Sequence, residues 1–226
     1  MNAIAQYLAQ GLDIKLGVRV QYIKKQCKKW HIFDHQGELL GEYDWVVLTI
    51  PVRQAVAILE TALPSRQYLA DYTDLANKKM DSCFSLMLGF LRPLPLKFDA
   101  ALVRNEDISW ISVNNAKPGR GKGFSLLIHS TNVWASQHID DDKGLVVQYL
   151  CEQMSKIIAY DINAAHLKTL HAWRFANIKK QKGNTHLIDP KQQLALCGDW
   201  FIQGRVEAAF SSGFKMANDL LKIVAT

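Results

Sequence analysis

Leu194-Ala-Leu-Cys-Gly-Asp-Trp-Phe-Ile-Gln-Gly-Arg-Val-Glu-Ala-Ala-Phe-Ser-Ser-Gly213 lies near the end of a 226-residue chain, and its reading decides the fold. The apolar run Leu194 to Cys197 predicts a buried strand, Gly198-Asp199 ends it, and Gly204 precedes a helix in which Val206, Phe210, Ala217, Leu221 and Val224 keep helical spacing. Strand, glycine-bearing turn and helix start thus follow one another. The first turn of such a helix has backbone N–H groups with no intrahelical acceptor and sits at the positive end of a dipole, which suits an anionic or electron-rich ligand oxygen. Asp199 is placed to accept hydroxyl protons from a sugar-like chain. Gly213, in mid-helix at a cost of about 1 kcal/mol against Ala, points to close packing there.

Composition narrows the classes of function. The chain is 49% apolar, enough for one sizeable core or two small ones, and 27 Lys and Arg against 21 Asp and Glu give a net charge of +6. That charge is compatible with an anionic ligand such as a dinucleotide. Lysines cluster at positions 24, 25, 28 and 29 and again at 179, 180 and 182, but no nucleic-acid-binding motif accompanies them, so no nucleic-acid partner is expected. Cys27, Cys83, Cys151 and Cys197 show no Cys-x-x-Cys spacing; the reading is no metal site, no disulfide scaffold and a reducing cytoplasm. No apolar run reaches the ~18 residues of a membrane span, and the first residues lack the order of a signal peptide, so a soluble cytoplasmic protein is expected.

The first segment, Asn2 to Gln10, reads as a short helix ended by Gly11. A β-meander follows: Val18, Val20 and Tyr22 alternate, Trp30 and Ile32 alternate after the lysine turn, and Asp44 to Ile50 is apolar enough for a buried central strand stopped by Pro51. From Val52 the character changes. Val52 to Leu59 and Pro64 to Leu75 read as helices, then Ser82 to Phe90, Ala100 to Val103, Ile108 to Val113 and Phe124 to Ser130 as strands of a mostly antiparallel sheet. The glycine-rich Lys117 to Gly123 lacks a Gly-Lys-Ser/Thr ending and runs into a strand, so it reads as a hairpin loop. Asp140-Asp-Asp142 opens a helix bearing Val146, Tyr149, Leu150 and Ile157, and a strand from Leu167 to Phe175 leads back to the opening stretch.

The run Gly198-Asp199-Trp200, then Gly204, then Arg205-Val206-Glu207-Ala-Ala209, then Ser212-Gly213 resembles the C-terminal flavin motif of the FAD-dependent amine oxidase superfamily, and within it the renalase-like bacterial branch. The resemblance implies FAD as cofactor. It gives Asp199 the ribityl and pyrophosphate part, and the backbone at Arg205, Val206 and Glu207 the flavin pyrimidine edge. Val20 would match a backbone contact to the adenine, and Thr49-Ile50-Pro51 the turn passing under the cofactor. Trp110-Ile-Ser-Val-Asn-Asn-Ala-Lys-Pro-Gly-Arg120 and His171-Ala-Trp-Arg-Phe-Ala176 resemble the branch's substrate domain, which makes Trp110, His171 and Trp173 the implied substrate residues. No catalytic acid–base residue is nominated, because the flavin carries the chemistry.

The family begins with a strand, a Gly-x-Gly-x-x-Gly turn and a helix that hold the FAD pyrophosphate, and no such spacing occurs in these 226 residues, so Asp44 to Ile50 is expected to gain an exposed edge or face. The expectation is a mixed α/β fold: the C-terminal part of an FAD/NAD(P)-binding Rossmann-like domain with a β-meander (1–52 and 183–226), plus an antiparallel-sheet substrate domain (53–182). Three accounts of the missing unit are open: an incomplete or frameshifted reading of the gene, a partner chain that supplies the nucleotide-binding half, or a shortened protein. The implied activity is oxidation of a small molecule, a reduced nicotinamide-type compound or an amine, by hydride transfer to flavin. The alternative is a non-catalytic binding module or one half of a split flavoenzyme. Purified alone, the chain is expected not to retain FAD.

Overall fold

The computed structural model describes residues 2–62, 72–121 and 123–225. Its helices are α1 (Asn2–Leu8), α2 (Val52–Ala62), α3 (Thr73–Ala76), α4 (Asn132–His138), α5 (Lys143–Ile158) and α6 (Val206–Val224). Its strands are β1 (Val20–Gln26), β2 (Lys29–Asp34), β3 (Leu39–Tyr43), β4 (Val46–Leu48), β5 (Asp81–Phe90), β6 (Ala100–Leu102), β7 (Ile108–Val113), β8 (Phe124–Ser130), β9 (Leu167–Asn177), β10 (Leu187–Asp189) and β11 (Leu194–Leu196). The expected helix from Pro64 to Leu75 is described only over α3, since residues 63–71 lie outside the described residues. The chain divides into two compact units. One comprises Met1–Asn77, His186–Cys197 and Met216–Thr226, the other Lys78–Thr185 and Gly198–Lys215.

In the first unit, β1, β2 and β3 form the antiparallel meander. Cys27 and Lys28, with φ of 49° and 67°, make the two-residue turn between β1 and β2, a left-handed pair that matches the twist of the strands it joins. Trp30 is fully buried, and its indole Nε1 donates to the Gln192 carbonyl at 2.9 Å, so the ring fills the core while its one polar atom is satisfied. α2 buries Val52, Ala55, Ile58 and Leu59. A second sheet has the order β10-β11-β4, with β11 parallel to β4 and Leu194, Ala195 and Leu196 wholly buried.

Two expectations are corrected here. The stretch Asp44 to Ile50 is not a buried central strand: only Val46 to Leu48 pair, at the end of their sheet, and Val47 is 37% exposed between two buried neighbours, which is the exposed edge or face expected where the glycine-turn unit is lacking. Pairing with β11 covers one edge of β4 and leaves the other open. The strand predicted from Val18 likewise starts at Val20, whose partner across the meander is Asp34.

The second unit is built on an antiparallel sheet of order β6-β7-β8-β5-β9. Alternation sends Phe84, Leu86, Leu88, Leu126 and Ile128 to one face, where they pack with Trp134 of α4 and Val146, Leu150 and Met154 of α5. α5 follows the acidic run expected to open it: it starts at Lys143, and the Asp142 carboxylate caps it by accepting the N–H groups of Gly144 and Leu145. α4 escaped the sequence reading, although Thr131 caps it by accepting the N–H of Trp134. The loop from Lys117 joins β7 to β8, tied by the Asn115 amide to Gly121 and Ser125; Lys122 lies outside the described residues.

α6 turns its predicted stripe outward. Val206, Phe210, Leu221 and Val224 are 59% to 67% exposed, whereas Ala208, Ser212 and Met216 are the residues it buries. Ser212 sits on the inner face because its hydroxyl is occupied, accepting the Gly198 N–H at 2.9 Å and donating to the Thr185 carbonyl at 2.6 Å. A buried hydroxyl with both bonds made costs little.

Candidate functional site

The turn that follows β11 is fixed by its own packing. Gly198 leaves no room for a side chain: a Cβ there would stand 2.5 Å from Trp200 Nε1. Asp199 to Phe201 then form one turn of 3-10 helix, with Trp200 and Phe201 stacked at 4.2 Å and both buried. Trp200, expected as a cofactor residue, therefore spends its indole on the core at 1% exposure, which leaves only its backbone to meet a ligand. The Asp199 carboxyl is half-buried and receives the Trp200 backbone N–H; burial is the larger influence and pushes its pKa above the usual carboxylate value.

Gly204 donates its N–H to the Ile178 carbonyl at 3.0 Å. A Cβ there would meet Asn177 Oδ1 at 1.8 Å and the Ile178 nitrogen at 2.8 Å, so only glycine fits. Arg205 turns its own N–H to the Gln203 carbonyl at 2.7 Å, while its carbonyl accepts from Ala209 and starts α6. Of the backbone donors expected at Arg205, Val206 and Glu207, those of Val206 and Glu207 stand in the first helical turn, where the helix offers no acceptor. All three residues are exposed.

The other face of the five-stranded sheet carries a different chemistry. In register across four strands run His171 of β9, Ser85 of β5, His129 of β8 and Trp110 of β7. Trp173 Nε1 lies 3.1 Å from Ser85 Oγ, which lies 2.9 Å from His129 Nδ1. Cys83 Sγ is 3.9 Å from the same ring nitrogen. The His171 and Trp173 rings meet at 4.0 Å with a 53° tilt. Beside this row opens a cavity of about 500 Å3 lined by Cys83, Ser85, His129, Asn132, Trp173, Asn177 and Gly204, among others.

Among the described residues no Asp, Glu, Lys or Arg lines that cavity. Burial, aided by the charge of Lys117, lowers the His129 pKa, and burial raises that of the Cys83 thiol, so both groups are neutral near pH 7. Of the three substrate residues expected from sequence, Trp173 lines the cavity, while Trp110 and His171 share its sheet face without lining it. Ser85, His129, Asn132 and Asn177 were missed. The signal was the alternation in β5 and β8, which puts Cys83, Ser85 and His129 on the face opposite Phe84, Leu86 and Ile128. Val20 and Pro51 belong to the first unit, where Val20 opens β1 and the Pro51 carbonyl accepts from Gln54 and Ala55 at the start of α2. Among the described residues no cluster of His, Cys, Asp and Glu forms a metal site, all four cysteines are free, and no helix is long and apolar enough to cross a membrane.

A family model described as flavin-containing amine oxidoreductase matches residues 1–221. The chain belongs to the flavin-containing amine oxidoreductase family. Its fold is similar to that of a protein assigned as a protoporphyrinogen oxidase from Exiguobacterium sp. 255-15, with a TM-score of 0.69 at 14% identity over 98% of this chain and 51% of that one. It is also similar to cyclohexylamine oxidase from Brevibacterium oxydans IH-35A, at a TM-score of 0.64, 15% identity and coverage of 99% and 53%. Wild-type putrescine oxidase bound to putrescine gives 0.62, 12% identity and coverage of 97% and 52%. The chain thus spans about half the length of these solved structures, and at these identities the likeness is one of fold. Membership makes FAD the cofactor of the family to which these residues belong.

Proposed function

We propose that this chain provides the substrate face and the C-terminal flavin contacts of an FAD-dependent oxidoreductase that oxidises a reduced nicotinamide-type or amine substrate. The observation that carries the reading is that Gly204 is at once a wall of the cavity and the residue that leads into α6. One backbone turn then serves both the substrate and the helix start assigned to the flavin. When bound, FAD would supply the acceptor for a hydride from substrate carbon. The residues present fit part of that cofactor: Asp199 would accept hydroxyl protons of the ribityl chain, and the N–H groups of Val206 and Glu207 would donate to the electron-rich flavin edge. Val20 and Pro51 would meet the adenine and the underside of the cofactor through their backbone. The domain assignment, a cofactor part at 1–52 and 183–226 and a substrate part at 53–182, belongs to the same proposal.

The glycine turn for the pyrophosphate is not among these 226 residues, so the proposal assigns it to a nucleotide-binding segment outside them. The outward stripe of α6, with Phe210 and Phe214 59% and 60% exposed, favours such a covering segment or a partner chain. Without it three or four charge-assisted hydrogen bonds are lost, each about 1.5–3 kcal/mol, and FAD affinity falls by orders of magnitude. The test adds the nucleotide-binding segment, loads FAD and follows anaerobic bleaching of the flavin band. Bleaching by isomers of reduced nicotinamide dinucleotide supports the renalase-like form of the reading and bleaching by amines its amine-oxidase form. A stable flavin band with both contradicts the proposal.

A further inference from the structure

The loop between β7 and β8 carries glycine where the fold has no use for it. Gly119, with φ of 73°, needs its left-handed backbone, but Gly121 has no positive φ, and a Cβ on Gly121 or Gly123 would meet no atom within 4 Å. At Gly121 neither turn geometry nor packing calls for a missing side chain. Both glycines line a cavity of about 370 Å3 whose other walls include Phe90, Phe124, Arg120 and His166. A side chain at either position would take up its space. Among the described residues none of this lining also lines the cavity beside Trp173.

The polar part of this lining is made of donors and positive charge. Among the described residues no Asp or Glu lines it, and the Arg120 guanidinium and the His166 ring have no hydrogen-bond or ion-pair partner. Asn114, also in the wall, is oriented by Lys117: an ammonium only donates, so the amide atom 3.3 Å from it is the oxygen, and the Asn114 NH2 is left to face a ligand. Asn115 holds the loop in place, its amide donating to the Gly121 carbonyl at 3.0 Å and its oxygen accepting the Ser125 N–H at 2.7 Å. A carboxylate would be satisfied by the guanidinium fork alone, whereas a phosphate monoester has three terminal oxygens and, near neutral pH, close to two charges, which also engage the amide and the imidazole. The space beyond is apolar, where Phe90 and Phe124 meet edge to face at 6.0 Å. We propose that the β7–β8 loop and the end of β5 bind the phosphate monoester of a small organic molecule, with the phosphate on Arg120, His166 and Asn114 and the carbon body against Phe124. The site goes beyond the oxidoreductase reading and does not rest on it.

Phenyl phosphate, inorganic phosphate and benzoate separate the parts of this claim. Each is titrated into the 15N-labelled full chain at about pH 7.5, where the ester is a dianion, in a buffer free of other oxyanions. Binding is read from the backbone amide shifts of Gly121, Gly123 and Ser125. Phenyl phosphate is expected to give saturable shifts at about millimolar concentration, with inorganic phosphate about three- to tenfold weaker and benzoate about tenfold weaker or more. Arg120→Ala should weaken phenyl phosphate about tenfold or more, with part of the loss recovered in Arg120→Lys. Gly121→Val, which fills the cavity, should weaken it by at least about tenfold. Both positions are exposed, so these variants keep the fold. No saturable shift with phenyl phosphate, equal binding of benzoate or of inorganic phosphate, or unchanged affinity in Arg120→Ala or Gly121→Val each overturns the proposal. No flavin enters this measurement, so its failure leaves the oxidoreductase reading standing.

Discussion

The two faces of the β6-β7-β8-β5-β9 sheet are made from alternate residues of the same strands, yet they obey different constraints. The closed face is apolar and complete: Phe84, Leu86, Leu88, Ile111, Leu126 and Ile128 are at most 1% exposed beneath α4 and α5. The free face keeps Ser85, His129, Trp110, His171 and Trp173, which are polar or aromatic. The first face is fixed by area removed from water, the second by which hydrogen bonds its side chains can complete. A closed face tolerates no vacancy, while an open one tolerates substitution and is free to specialise.

The difference is broken most severely from the closed side. Leu86→Ala leaves a cavity under a residue with no exposure, and a loss of about 3 kcal/mol is expected in the denaturant midpoint without loss of slope. Gly204→Ala forces a Cβ against Asn177 Oδ1 and the Ile178 nitrogen, for a loss of about 1–3 kcal/mol by the same measurement. Trp173→Phe on the open face keeps a ring, gives up one hydrogen bond to Ser85, and should change stability by less than about 1.5 kcal/mol.

The smallest effect is one of pH. Burial depresses the His129 pKa below its ordinary 6.5, so between the lowered value and 6.5 the unfolded chain binds more protons than the folded one. The stability tied to the neutral ring is therefore present above about pH 6.5 and is lost as the pH falls toward the folded value. His129→Gln should flatten that part of the curve of midpoint against pH, and an unchanged curve would show that the ring is not held neutral.

Much of this was legible in the sequence because local chemistry dictated it. The meander, the strands of the second unit, the Asp142 cap and the strand-turn-helix from Leu194 to α6 all follow from alternation, glycine placement and caps. What was not legible depended on distant partners. Ser212 looks like a surface residue of α6 until the Gly198 N–H and the Thr185 carbonyl are known to flank it. The Ser85 and His129 pair joins residues 44 apart through strand register, which no local pattern discloses. Val47 reads as core and is exposed because β4 ends its sheet.

Asp199 is a half-buried carboxyl with a raised pKa, a cost to the fold at neutral pH that the proposed function sets against a contact to the cofactor. With its folded pKa above the ordinary 3.8, the penalty is full at neutral pH and vanishes as the pH falls below 3.8, so Asp199→Asn should be more stable than the unaltered chain at pH 7 and equal to it in acid. The most direct test of the central claim is the flavin absorbance of the chain purified together with a nucleotide-binding segment and dialysed after FAD is added. The account predicts a stoichiometric yellow protein, near-complete loss of colour in Asp199→Ala, and colour retained in Ser85→Ala. Equal flavin content in Asp199→Ala and the unaltered protein, or no flavin in either, would contradict it.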